Sequence, residues 1–141
     1  MNFKNTIRFK LVEVNKKKID GINFFNIVYI LAFVDEVNLF TLDLFDSSFI
    51  YFKELKKSIL KSGEYLIFTS ITGVADECGW DYIKITHRKK LIHWGFEREG
   101  VKFSYFFNKK EYVKGVLELE KKIKNSKSIF KLEPLYVIYP E

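Results

Sequence analysis

The sequence predicts an α+β domain: an antiparallel β-sheet of six to seven strands, four of them in a meander, with two amphipathic helices. Three observations carry that expectation. Short apolar runs with period-two alternation recur between turn-like residues. Two segments, one after residue 48 and one after residue 108, carry apolar residues at helical spacing behind capping residues. Strands and helices do not alternate as βαβ units, which sets aside a doubly wound nucleotide-binding sheet. With 141 residues, 48% hydrophobic and 18% aromatic, the chain reads as one domain, residues 1–141, large enough to bury a core without a disulfide or metal staple.

The elements follow in order. Residues 6–14 set Ile7, Phe9 and Leu11 against Arg8, Lys10 and Val12, the alternation of a half-buried strand, and Asn15 with Lys16, Lys17 and Lys18 is read as the turn that ends it. Residues 24–34 and 37–44, either side of Asp35 and Glu36, read as a hairpin; its first arm is apolar on both faces and belongs near the sheet centre under a helix. Asp46, Ser47 and Ser48 offer N-cap chemistry for a first helix through Phe49, Phe52, Leu55, Ile59 and Leu60, with Gly63 closing it. Four runs follow, 64–71, 81–87, 91–98 and 101–107, and read as the meander. Its core residues are Ile83, Ile85, Ile92, Trp94, Phe96, Phe103, Tyr105 and Phe107. Asn108 with Glu111 three residues on is a capping-box start for a second helix with the stripe Tyr112, Val113, Val116, Leu117, Leu119 and Ile123. Residues 135–139 read as a last strand.

Composition and motifs then narrow the function. The net charge is +6, from 24 basic and 18 acidic residues, but acids are interspersed among the lysines. One cysteine makes no internal disulfide, no apolar signal core follows Met1, and the longest uncharged run, 14 residues, is shorter than the roughly 20 a spanning helix needs. A cytoplasmic protein is expected. Cys78, His87 and His93 lack the close pairing of a zinc site, and the acids of residues 76–81 lack calcium-loop spacing, so no metal is expected. There is no G-x-S-x-G elbow and no phosphate-cradling glycine loop; Cys78 lies beside Glu77, which would raise its thiol pKa. An enzyme using Asp76, Glu77 and His87 ranks last. No cofactor is expected.

Two binding surfaces remain. The loop TGVADECGWD, residues 72–81, places Asp76, Glu77, Trp80 and Asp81 between glycines and strands, a shaped acidic protrusion suited to a protein partner. Against this, Trp80 packing down onto the core is at least as good a reading for that residue. Arg88, Lys89 and Lys90 form a basic turn, and Tyr51, Tyr82 and Phe106 are candidate stacking rings; with the lysine-rich helix faces they make the alternative reading, a nucleic-acid-binding module.

GWDYIKIT (79–86), IHWGFE (92–97) and FSYFFNKKEYVKGVLELEKKI (103–123) resemble the small immunity proteins of bacterial polymorphic-toxin and contact-dependent growth inhibition systems. The resemblance covers roughly residues 64–124. It implies a non-enzymatic inhibitor that binds a cognate toxin domain stoichiometrically and blocks its active site or substrate surface. Many such toxins are nucleases with basic clefts, to which Asp76, Glu77 and Asp81 would be complementary. The +6 charge departs from the acidic character more usual for inhibitors of basic nucleases.

Overall fold

The computed structural model describes residues 4–19, 21–45, 48–69, 80–126 and 130–131. In chain order the elements are β1 (Ile7–Ile19), β2 (Ile22–Val34), β3 (Val37–Asn38), two 3₁₀ turns (Leu39–Thr41 and Asp43–Phe45), β4 (Phe49–Ile50), α1 (Phe52–Lys57), β5 (Gly63–Tyr65), β6 (Phe68–Thr69), β7 (Ile83–His87), β8 (Leu91–Arg98), β9 (Val101–Asn108), α2 (Lys109–Lys124) and β10 (Phe130–Lys131). The architecture is α+β. The strands divide into three sheets, ordered β1-β2-β10 with β3 on β2, β4-β6, and β5-β7-β8-β9.

The first sheet is built on a long hairpin. β1 and β2 pair from Ile7 opposite Val34 to Ile19 opposite Ile22. Only Asp20 and Gly21 separate them, and Gly21 has φ +79°, the left-handed conformation that two-residue hairpin turns use. The turn expected at residues 15–18 is therefore not a turn: Lys16, Lys17 and Lys18 pair with Phe25, Phe24 and Asn23. At the other end, Asp35 (φ +52°) and Glu36 (φ +64°) make the expected turn. Its strain is held in place because the Asp35 carboxylate accepts from Asn5 Nδ2 and from the Thr6 amide, both at 2.8 Å. β2 is central, as its two-sided apolar character predicts. Its second partner arm is shorter than residues 37–44, because the Asn38 side chain accepts from the Phe40 amide and starts a 3₁₀ turn.

The first helix also departs from expectation. α1 holds six residues, not a segment running from residue 49 to Gly63. Phe49 and Ile50 pair instead with Thr69 and Phe68, as suits an aromatic and β-branched run. Ser58 donates to the Leu55 carbonyl and meets the buried Tyr112 hydroxyl at 2.6 Å, tying the helix end into the core, and Gly63 begins β5. The expected cap residue Ser48 is buried; Asp46 and Ser47 lie outside the described residues, as do residues 135–139.

The meander is where the sequence predicts it, as β5-β7-β8-β9, all antiparallel; residues 64–71 contribute β5 and the separate β6. Ile83, Ile85, Ile92, Trp94 and Phe107 are buried, and Phe96, Phe103 and Tyr105 pack half-buried against them. α2 begins as predicted, with Asn108 Oδ1 accepting from the Glu111 amide at 3.0 Å. It buries Tyr112, Val116, Leu119 and Ile123, while Leu117, expected in the stripe, is 43% exposed on its flank. Phe9 of β1 and Trp94 of β8 both meet Tyr112 edge to face, at 6.2 and 6.0 Å. One helix thus closes the core over two sheets.

Candidate functional site: two ends of the meander

Antiparallel pairing sends successive turns to opposite ends of a sheet. The β7–β8 turn puts Arg88, Lys89 and Lys90 at one end. The β8–β9 turn, made by Glu99 (φ +49°) and Gly100 (φ +80°), lies at the other, together with Asp81 and Tyr82 ahead of β7. Residues far apart in sequence are gathered this way.

The second end is acidic. Asp43, Asp81, Glu97 and Glu99 are exposed there, with Lys102 opposite Glu97. Asp43 belongs to this end because the neighbouring Leu44 carbonyl accepts from Arg98 Nε. The Arg98 guanidinium is drawn inward: the residue is 7% exposed and its charge lies 3.9 Å above the Trp80 ring, a cation–π arrangement that is strong when desolvated. Trp80 itself is 3% exposed. It stacks on Phe68 at 5.0 Å and donates from Nε1 to Ser48 Oγ at 2.6 Å. Of the four residues proposed from sequence as partner contacts, the structure therefore places Trp80 in the core and Asp81 on the surface, where Asp81 Oδ1 accepts from the Tyr82 amide. Asp76 and Glu77, like Cys78, lie outside the described residues.

The first end is basic. Arg88 closes its turn by donating from its amide to the Leu91 carbonyl at 2.8 Å, and the Lys109 amide donates to the Lys90 carbonyl at 3.0 Å. That second bond brings Lys109 and Lys110 against the turn. Both open α2, where the helix dipole is itself positive, so charge and dipole add. Glu111 is the one carboxylate in that first turn.

Between the ends runs the outer face of the sheet, opposite the core. His93 and Phe106 are paired in register there, ring centroids 4.4 Å apart and planes inclined at 32°. His93 lies along its strand over Gly95, where a Cβ would stand 3.0 Å from the imidazole Cε1, and its Nε2 meets Ser104 Oγ at 2.7 Å. Arg88 reaches to 5.8 Å from the Phe106 centroid. Partial burial, then the charges of Arg88 and Lys84, hold the His93 pKa below its ordinary value. His87 lies on the inner face, its Nε2 donating to the Ser58 carbonyl at 2.7 Å, so the two histidines cannot converge on one ion. Among the described residues no group of three His, Cys, Asp or Glu side chains could hold a metal, and no helix is long and apolar enough to cross a membrane.

Of the three rings considered from sequence, Phe106 belongs to this outer face, Tyr82 packs against the core, and Tyr51 precedes α1. Sequence reasoning missed His93, Ser104, Gly95, Lys109 and Lys110. Period-two alternation does assign the first three to the face away from the core, but their mutual contact depends on the β8–β9 register. Comparison with protein-family models, with curated protein sequences and with solved structures found no match to this chain.

Proposed function

We propose that this chain is a non-enzymatic, cytoplasmic inhibitor that binds a cognate bacterial toxin domain stoichiometrically, meeting it through the acidic end of the meander. The observation that carries the reading is the segregation of charge. Although the chain is +6, the exposed charges around Asp81 are the acids Asp43, Glu97 and Glu99 against one lysine, Lys102, and Arg98 is withdrawn beneath the surface. The end that carries Asp81 is therefore acidic whatever the sign of the whole. A basic catalytic cleft, as in a nuclease, would be complementary to it.

A rigid framework suits such a role. The turn residues rise from strands whose inner faces are locked in an aromatic core, so contact side chains need little ordering on association. The test is co-expression with the toxin domain that co-purifies stoichiometrically with the tagged chain from its own cells. Wild type should restore growth. A variant carrying Asp81→Lys, Glu97→Lys and Glu99→Lys should fail to do so while melting within a few degrees of wild type; full rescue by that variant would remove the acidic end from the account.

A further inference from the structure

The basic end and the adjoining outer face form a surface that the inhibitor reading does not use. At its centre the His93 and Phe106 rings are stacked on one another, tilted by 32° with centroids 4.4 Å apart. The imidazole is fixed in that pose by the Ser104 hydroxyl at 2.7 Å and by the space left at Gly95. Phe106 is fixed through its backbone: its amide donates to Asn5 Oδ1 at 2.9 Å and its carbonyl accepts from the Asn5 amide. Around these rings stand exposed cations. Lys84 is in register with Gly95, Arg88 reaches toward the Phe106 ring, and Lys89, Lys90 and Lys110 occupy the adjoining corner.

We propose that this surface binds single-stranded nucleic acid, with a base extending the His93 and Phe106 stack and phosphates led over the Arg88 to Lys90 turn toward Lys109 and Lys110. Charge complementarity selects a polyanion, and the flat rings select one that offers aromatic faces. Every base has a π-face, so stacking of this kind tolerates sequence. A duplex hides its base faces and can satisfy only the cations, and an acidic peptide would leave the rings unused. The inference is independent of the inhibitor reading, since it uses the opposite end of the sheet.

The experiment is fluorescence anisotropy of the full chain with fluorescein-labelled 15-residue oligothymidylate, 15-residue oligouridylate and a 15-base-pair duplex. The single strands should bind tighter than the duplex. With about four phosphate contacts, affinity should fall about 50-fold between 50 and 200 mM salt. Phe106→Leu, which keeps apolar bulk and loses the aromatic face, should weaken single-strand binding about tenfold, and Arg88→Glu with Lys90→Glu should weaken it further at low salt. Preference between the two oligonucleotides would sort DNA from RNA, either outcome supporting the site. Equal affinity for duplex and single strand together with an unchanged Phe106→Leu variant would overturn it, leaving bare charge attraction. So would absence of binding by wild type at 50 mM salt. Either failure would leave growth rescue by the acidic end untouched.

Discussion

The acidic and basic ends of the meander are carried by the same strands and the same core, yet they differ in every property that governs association. Asp43, Asp81, Glu97 and Glu99 surround one end, where the local arginine is folded inward over Trp80. Arg88, Lys89, Lys90, Lys109 and Lys110 surround the other, reinforced by a helix dipole and bordered by two aromatic rings. Net charge averages over this arrangement and conceals it. The difference teaches that partner chemistry is to be read end by end, because antiparallel pairing assembles each end from residues distant in sequence.

The largest effect tests the framework the two ends share. Trp94 is fully buried against Phe107 and Tyr112, so Trp94→Ala should cost about 3–5 kcal/mol in a denaturant titration and weaken both ends together. Trp80→Ala belongs to the same class. If it left stability near wild type and abolished binding of the proposed partner, Trp80 would be a contact after all and the inward placement of Arg98 would lose its basis.

The next effect belongs to one end alone. Asn108→Ala removes the cap that accepts from Glu111 and should cost about 1 kcal/mol. It frays the turn bearing Lys109 and Lys110, so oligonucleotide affinity should fall while the proposed partner binding at the acidic end stays intact. Equal loss at both would mean the ends are not separable.

Charge reversals should barely alter stability, within about 0.5 kcal/mol for exposed sites, and should act on opposite ligands. Asp81→Lys with Glu99→Lys should spare oligonucleotide binding, and Arg88→Glu with Lys90→Glu should spare binding of the proposed protein partner.

The smallest effect is a titration. With its pKa held down, His93 takes up its proton at a lower pH in the folded chain than in the unfolded chain, which does so near the ordinary value of 6.5. It therefore contributes nothing above that pH and a slight destabilisation as pH falls below it. The ring is half-exposed, so screening keeps the effect small. An NMR titration should give a midpoint below 6.5, and Lys84→Gln with Arg88→Gln should move it upward; an unmoved midpoint would show that neither cation sits near the ring.

What was legible in the sequence follows the range of the forces involved. The meander and the start of α2 were readable because alternation and the Asn108 cap act over a few residues. The turn at Gly21 (φ +79°) is equally local, but the polar run Asn15 to Lys18 carries a turn-like signal of its own a few residues earlier. The short α1 was not readable: Phe49 stands at helical spacing to Phe52, and Phe52 to Leu55, but pairing of Phe49 with Thr69 and of Ile50 with Phe68 overrides it. At the acidic end Asp81 was found from its neighbours, whereas Asp43, Glu97 and Glu99 join it only through the fold. The His93 and Phe106 contact required knowing that Ile92 faces Phe107.

The separation of the two ends is tested most directly by amide chemical-shift mapping of the labelled chain during titration with 15-residue oligothymidylate. The account predicts shifts at Lys84, Arg88, His93, Ser104, Phe106 and Lys109, with Asp81, Glu97 and Glu99 unmoved. Shifts centred on the acidic end, or spread evenly over both, would contradict it.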